Sequence, residues 1–258
     1  LMLKGLATND EVAFYNIGYM LAQPLGFLSS ALSISAFPAF SRRAKLDPEG
    51  IGRVLRRTVK YQIVMAVPIA VGLAIMAERV IQFLFHGGGF VQAGGALRVI
   101  SLGLPLVFLN LTARYMLTAL DAQRAYLSAI VVGLMVNVGL SAAFAAPLGA
   151  TGAAVGLLAG ELAVFLVCQR TLRRHVGIGP VLAELGRPAL AALVMGLVVF
   201  ALRSAPLWIV PVAGTVVYAG MLFALRVFGR DELRVLRGVY VSFGLPGSAY
   251  LMKVRNPS

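Results

Sequence analysis

The chain has 258 residues, 59% of them hydrophobic and only 13% charged, with a mean hydropathy of +0.87 and a net charge of +13. A soluble domain is about half apolar and about a quarter charged, and one of this length cannot bury so much apolar surface, so a water-soluble fold is excluded. Such a charge would suggest a nucleic-acid partner in a soluble protein. Here the basic residues cluster between apolar stretches, as on the cytoplasmic rim of a membrane protein facing anionic membrane lipids, so no nucleic-acid partner is expected.

Seven stretches, near 12–40, 59–85, 94–120, 125–146, 150–170, 188–204 and 206–226, approach the length a helix needs to cross a bilayer. They predict an all-α, polytopic transmembrane helix bundle forming one domain over 1–258. The first stretch is too long for an upright crossing, so either Pro24 and Gly26 kink it or its ends run along the interface. Pro68 and Pro105 fall inside the second and third spans, where neighbouring helices can satisfy a freed carbonyl. Gly152, Gly156 and Gly160 share one face of the fifth span, which invites close packing of another helix. The last two spans form a hairpin through Arg203–Pro206, with Trp208 as an interfacial anchor. Over 229–240 the spacing of Leu233, Leu236, Val239 and Tyr240 among charges predicts a short amphipathic helix on the inner leaflet.

The basic residues occupy alternate connections. They are Arg42, Arg43, Lys45, Arg53, Arg56, Arg57 and Lys60 after the first span, and Arg124 after the third. Arg170, Arg173, Arg174 and Arg187 follow the fifth span, and Arg226, Arg230, Arg234, Arg237, Lys253 and Arg255 the seventh. Lys and Arg favour the cytoplasmic side, so these connections and the C-terminus are expected inside and the first residues outside. An outside start with no preceding span or signal is hard to translocate, and the chain is expected to be the back part of a longer protein.

One cysteine, Cys168, excludes an internal disulfide and a thiolate metal site, and His86 and His175 fall in loops on opposite sides. The sequence calls for no metal and no cofactor. His86-Gly87-Gly88-Gly89 lacks both a preceding strand and the Lys-Ser/Thr of a phosphate loop. No nucleophile elbow is present, so the chain is not expected to be an enzyme. An integral-membrane glycosyltransferase would need acidic clusters at the membrane face, and the basic loops there carry only Asp47, Glu49 and Glu184.

Candidate chemistry rests on polar residues at membrane depth. Asn110, Arg114, Thr118 and Asp121 fall on one stripe of the third span. Arg114 either faces an aqueous cavity, where its planar fork suits phosphate or carboxylate, or pairs with Asp121 or Glu161 inside the bundle. Glu161 is a candidate ion-coupling carboxylate or the counter-ion of Arg114. Asn137 reads as interhelical glue. Arg98 either snorkels to the outer headgroups or lines an outer vestibule, and Glu78 and Arg79 are expected to be solvated.

Three segments carry a family resemblance. Phe14-Tyr15-Asn16-Ile17-Gly18-Tyr19, with Ala36-Phe37-Pro38-Ala39-Phe40-Ser41-Arg42, resembles the start and end of one helix of polysaccharide-export flippases, with Gly18 where alanine is usual. Ile81–Phe90 is similar to the apolar run and glycine turn of those proteins. Pro147-Leu148-Gly149-Ala150-Thr151-Gly152-Ala153-Ala154, followed by Glu161, resembles their turn between two spans. Together, over residues 10–175, they resemble the C-terminal half of O-antigen flippases of the multidrug/oligosaccharidyl-lipid/polysaccharide (MOP) superfamily.

The resemblance implies the C-terminal lobe of a fourteen-helix, two-lobed protein of the bacterial inner membrane. It implies export of an undecaprenyl-diphosphate-linked oligosaccharide by rocking of the lobes, in partnership with a polysaccharide polymerase and glycosyltransferases. Arg114 and Asn110 would then line the central cavity. Lipid II flippases and cation-coupled multidrug antiporters of the same superfamily are the alternatives, and Glu161 keeps the antiporter reading open.

Overall fold

Lipid offers a backbone no hydrogen-bond partners, so a spanning chain must satisfy its peptide groups within helices. A computed structural model of the protein describes residues 9–85, 88–176 and 186–227, and these are almost wholly helical. The 229–240 segment and His86 lie outside the described residues. In chain order the helices are α1 (Asn9–Ala22), α2 (Gly26–Leu46), α3 (Pro48–Leu84), α4 (Ala93–Ala119), α5 (Gln123–Val176), α6 (Gly186–Ala201) and α7 (Ile209–Ala224). By length and composition, Asn9–Leu46, α3, α4 and α5 can cross a membrane, while α6 and α7, of 16 residues each, are shorter.

The long first element breaks where proline forbids a regular helix. Gln23–Leu25 forms a single 3-10 turn containing Pro24, and α2 resumes at Gly26. Pro68 and Pro105 remain inside α3 and α4. Between α2 and α3 the chain turns on Asp47. Its carboxylate accepts from the Gly50 amide at 2.8 Å, capping α3, and pairs with Arg43 at 2.8 Å. Asp47→Ala is expected to lower stability by about 1 kcal/mol, the usual worth of an N-cap, and detergent thermal unfolding with a reversible denaturant check reads it.

The 54 residues of α5 would extend about 80 Å if straight. They instead fold back at Gly149, whose φ of 55° and ψ of −133° lie outside helical space. The reversal needs no loop, so the turn is tighter than the break near 147–149 anticipated from composition. The two arms lie antiparallel, with Gly152 against the Phe144 carbonyl, Gly156 against Ser141 and Gly160 against Asn137 and Gly133. Ser141 Oγ donates to Asn137 Oδ1 at 2.9 Å and to the Ala153 carbonyl at 3.3 Å, so Asn137 does sit in an interhelical seam.

Central in the bundle, α4 packs against α1, α2, α3 and α5. Two apolar clusters surround it. Near the Asn9 end the core is largely alanine, including Ala22, Ala70, Ala77, Ala93, Ala96 and Ala154. A Cβ on Gly18 would lie 3.0 Å from the Leu97 amide nitrogen, so α1 and α4 approach backbone to backbone there. At the opposite end larger side chains fill the core, among them Phe40, Ile51, Leu55, Ile63 and Met116. Between the clusters runs a buried polar seam. Gln62 Nε2 donates to the Ser29 carbonyl at 3.1 Å and to Ser33 Oγ at 2.9 Å, and Ser33 Oγ meets Thr112 Oγ1 at 3.3 Å.

The outer α6–α7 pair packs on α3 and is fastened at two points. Tyr218 Oη donates to the Val64 carbonyl at 3.0 Å, and the Arg79 guanidinium donates to the carbonyls of Arg203 and Ala205. Arg79 is therefore not simply solvated. It satisfies carbonyls of the turn between α6 and α7, which belong to neither helix.

The turns with few charges share one end of the bundle. There Glu11 on α1 accepts from the Ala150 amide at 2.5 Å, and Phe14 meets Phe90 edge-on at 6.4 Å. Arg43, Arg124, Arg174, Arg187 and Arg226 belong to the other end, where Val176 abuts Gly52 and Arg187 reaches the Arg226 carbonyl.

Candidate functional site

Residues on α4 at spacings of three and four form a stripe facing the gap between α1 and the second arm of α5. In the upper part of that gap is a cleft of about 120 Å³. Tyr19 and Gln23 from α1 and the 3-10 turn, Gly103 and Val107 from α4, and Leu158 and Glu161 from α5 line it. The 3-10 break puts Gln23 in the wall of the cleft that Glu161 also lines, a place that sequence reasoning missed. An amide next to a proline within an apolar span was the available signal.

One turn further along α4, Asn110 is 4% exposed. Its Nδ2 donates to the Glu161 carboxylate at 2.7 Å and to the Glu161 main-chain carbonyl at 3.0 Å, while its Oδ1 is buried without a partner. Glu161 is half-buried, and its counterpart is this amide rather than Arg114. Among the described residues no ion pair includes Arg114, whose side chain is exposed. Tyr126, on the first arm of α5, lies within electrostatic reach of both Arg114 and Glu161, which places the three in one neighbourhood.

The rest of the expected stripe divides. Thr118 Oγ1 donates to the Arg114 carbonyl at 2.8 Å, a backbone bond within its own helix. Asp121 is exposed and lies just past the helix end, in the left-handed region with φ of 57°, which a short polar side chain tolerates. Thus Asn110 and Glu161 meet, Arg114 stands next along the stripe, and Asp121 marks its basic end.

Arg98 lies at the opposite end of α4. It pairs with Glu78 at 2.9 Å and donates Nε to the Ala74 carbonyl at 3.3 Å, with both charged side chains about half exposed. Glu78, expected to be solvated, is exposed and also pairs with Arg98, because the close approach at Gly94 brings α3 and α4 together.

A second cavity escaped the sequence reading. The faces of α3, α6 and α7 enclose about 660 Å³ lined almost wholly by apolar side chains, including Leu73, Phe83, Met195, Leu207, Trp208 and Val210. Each helix looks like an ordinary lipid-facing span, and only their splay creates the groove. Among the described residues no group of three or more His, Cys, Asp and Glu could hold a metal ion.

The chain is similar to solved transporters. A structure described as lipid II flippase MurJ in an inward closed conformation superposes with a TM-score of 0.73 at 18% identity, covering 84% of this chain and 47% of that one. The chain thus spans about half the length of that protein. An outward-facing multidrug resistance MATE family transporter of the MOP superfamily superposes with a TM-score of 0.60 at 21% identity, covering 97% of this chain and 68% of the other. A MOP superfamily transporter from Pyrococcus furiosus, described as having a binding pocket of reverse polarity, gives 0.57 at 22% identity over the same shares. At these identities the likeness shows the fold. Comparison with curated protein sequences finds no match. The superfamily inferred from the sequence motifs stands, while the matching family profile is that of lipid II flippases, not the O-antigen branch. That profile covers residues 9–226, and the chain belongs to the lipid II flippase MurJ family.

Proposed function

We propose that this chain is the C-terminal lobe of a flippase that carries a polyprenyl-diphosphate-linked saccharide, lipid II, across the bacterial inner membrane by alternating access. The observation that carries the reading is Arg114. It is exposed on the polar stripe, one turn along from the Asn110–Glu161 pair, without an ion-pair partner among the described residues. A planar cation so placed suits a diphosphate, which accepts paired N–H donors. The apolar groove of α3, α6 and α7 gives the polyprenyl chain a path along the lobe. The basic end of the bundle lies in the cytoplasm by the distribution of Lys and Arg, with anionic lipids around it. Enzymes that build and polymerise the saccharide are the expected partners.

Cargo binding tests the proposal. Native mass spectrometry of the purified protein should show lipid II bound in preference to undecaprenyl monophosphate. An undecaprenyl-diphosphate oligosaccharide without the peptide serves as the competitor. Preference for that competitor would move the assignment to oligosaccharide export, the reading favoured by the motifs at 36–42 and 147–161. Equal binding of the monophosphate would sink the role given to the diphosphate.

A further inference from the structure

The two halves of the first helical element are held to the bundle in unlike ways. The α2 half carries a ladder of buried polar contacts. Ser29 Oγ donates to the Phe108 carbonyl at 3.2 Å, Ser33 Oγ meets Thr112 Oγ1 at 3.3 Å, and Gln62 Nε2 donates to the Ser29 carbonyl and to Ser33 Oγ. Ser29, Ser33, Gln62 and Thr112 are all fully buried. At that depth no water stands ready to replace a broken bond, so the ladder holds α2 firmly on α3 and α4.

The α1 half shows no such ladder among the described residues. Its buried positions are Phe14, Gly18 and Ala22. Gly18 lies against the Leu97 backbone, and Ala93 and Ala96 continue that smooth surface on α4. The fastening at the outer end is Glu11, whose carboxylate accepts from the Ala150 amide at 2.5 Å. The reversal at Gly149 leaves that amide at the start of a helical arm, without a partner in its own helix. The positive end of the arm's dipole favours a carboxylate there. A Cβ at Gly149 would collide with this carboxylate, so the glycine also makes room for it. Between the two halves stands the single 3-10 turn Gln23–Leu25, where Pro24 removes a backbone donor and both Gln23 and Pro24 are exposed.

We infer that α1 is the moving half of this element: it swings on the Gln23–Leu25 turn, with Glu11 on the Ala150 amide as its latch, while α2 stays fixed. A few residues at the junction of two elements suffice for a hinge. Releasing the latch breaks a charge-assisted hydrogen bond at the outer end of the bundle, where water can take its place. The ladder under α2 has no such substitute. Tyr19 and Ala22 of α1 form one wall of the cleft, and Leu157, Leu158 and Glu161 of α5 form another. A swing of α1 away from α5 therefore widens the cleft from its outer side. Glu11 acts through the place it gives α1 and is a positioning residue, not a cargo ligand.

The test is pulsed electron paramagnetic resonance on the purified protein in nanodiscs, with the buried Cys168 changed to Ala so that only introduced cysteines carry spin labels. One pair, Asp10→Cys with Ala143→Cys, joins the outer end of α1 to the first arm of α5. A second pair, Ser35→Cys with Ala143→Cys, reports on α2, and all three positions are exposed. Glu11→Ala should move the first distribution to longer distances by several ångströms and leave the second where it is. Glu11→Gln keeps an acceptor oxygen but loses the charge, and should add a longer component to the first distribution beside the parent distance. Unchanged distances between positions 10 and 143 in Glu11→Ala would overturn the inference, because the latch then holds nothing. Equal lengthening of both pairs would overturn it too, because the element then moves as one rod without a hinge. Should Glu11→Ala fail to fold, Glu11→Gln decides by the same two criteria. The readout is a distance within this chain and involves no cargo, so the hinge and the transport reading can fail separately.

Discussion

Gly152→Ala is expected to disrupt folding of the α5 hairpin, the largest stability effect in the molecule. A Cβ on Gly152 would fall far inside contact distance of the Phe144 carbonyl, a backbone group that cannot rotate away. Gly156 is nearly as confined, since its Cβ would lie 2.6 Å from the Ser141 amide nitrogen and 2.9 Å from the Asn137 carbonyl oxygen. Relief requires the arms to separate, which would strain or break the Ser141–Ala153 and Asn110–Glu161 hydrogen bonds. Overpacking a tight core costs about 1–3 kcal/mol for a small addition, and a backbone clash lies at the upper end. Gly139 on the same hairpin has nothing within 4 Å of its Cβ position, so Gly139→Ala is the matched control. Fluorescence-detected gel filtration should show aggregation or lost yield for Gly152→Ala and a monodisperse peak for Gly139→Ala. Equal behaviour of the two would refute the backbone-contact account of the hairpin.

Arg114→Glu is expected to have the largest effect on function. If the guanidinium holds a diphosphate, its hydrogen bonds to that anion are charge-assisted and worth about 1.5–3 kcal/mol. Arg114→Ala should therefore weaken lipid II binding by roughly 10- to 100-fold, at about 1.4 kcal/mol per factor of ten. Arg114→Glu should weaken it further, because it adds repulsion beside Glu161. Arg114→Lys keeps the charge but loses the fork, and should fall between Ala and the parent protein. The side chain is exposed and without an ion-pair partner among the described residues, so all three proteins should retain the parent's thermal stability within about 0.5 kcal/mol. Binding that is insensitive to all three changes would remove Arg114 from the cargo site.

The polar groups illustrate how differently sequence and structure report. A carboxylate at 161 and an asparagine at 110 stand out in any hydropathy reading, because polar atoms in lipid are costly. Their mutual contact does not, since it joins residues 51 apart on different helices. Arg114 was equally conspicuous, yet only the structure shows that Asn110, and not Arg114, is the hydrogen-bond partner of Glu161. Thr118 shows the limit of stripe arguments. It lies where periodicity puts it, but its hydroxyl turns back onto the helix backbone. Arg79 and Glu78, both expected to be solvated, also bond to the α6–α7 turn and to Arg98 respectively.

Hydropathy and helical periodicity by themselves determined that the protein is an all-helical membrane bundle, where its apolar helices fall, which connections are basic, and which few polar residues stand at depth. These are local properties, set by the cost of exposing peptide groups and charges to lipid over about 20 residues at a time. Tertiary structure alone decided the one-residue reversal at Gly149, the groove between α3, α6 and α7, and the buried seam around Gln62. It also decided that Asn110 rather than Arg114 faces Glu161. Each of these depends on how closely two helices distant in sequence can approach, and that distance is set by side-chain volume on both at once.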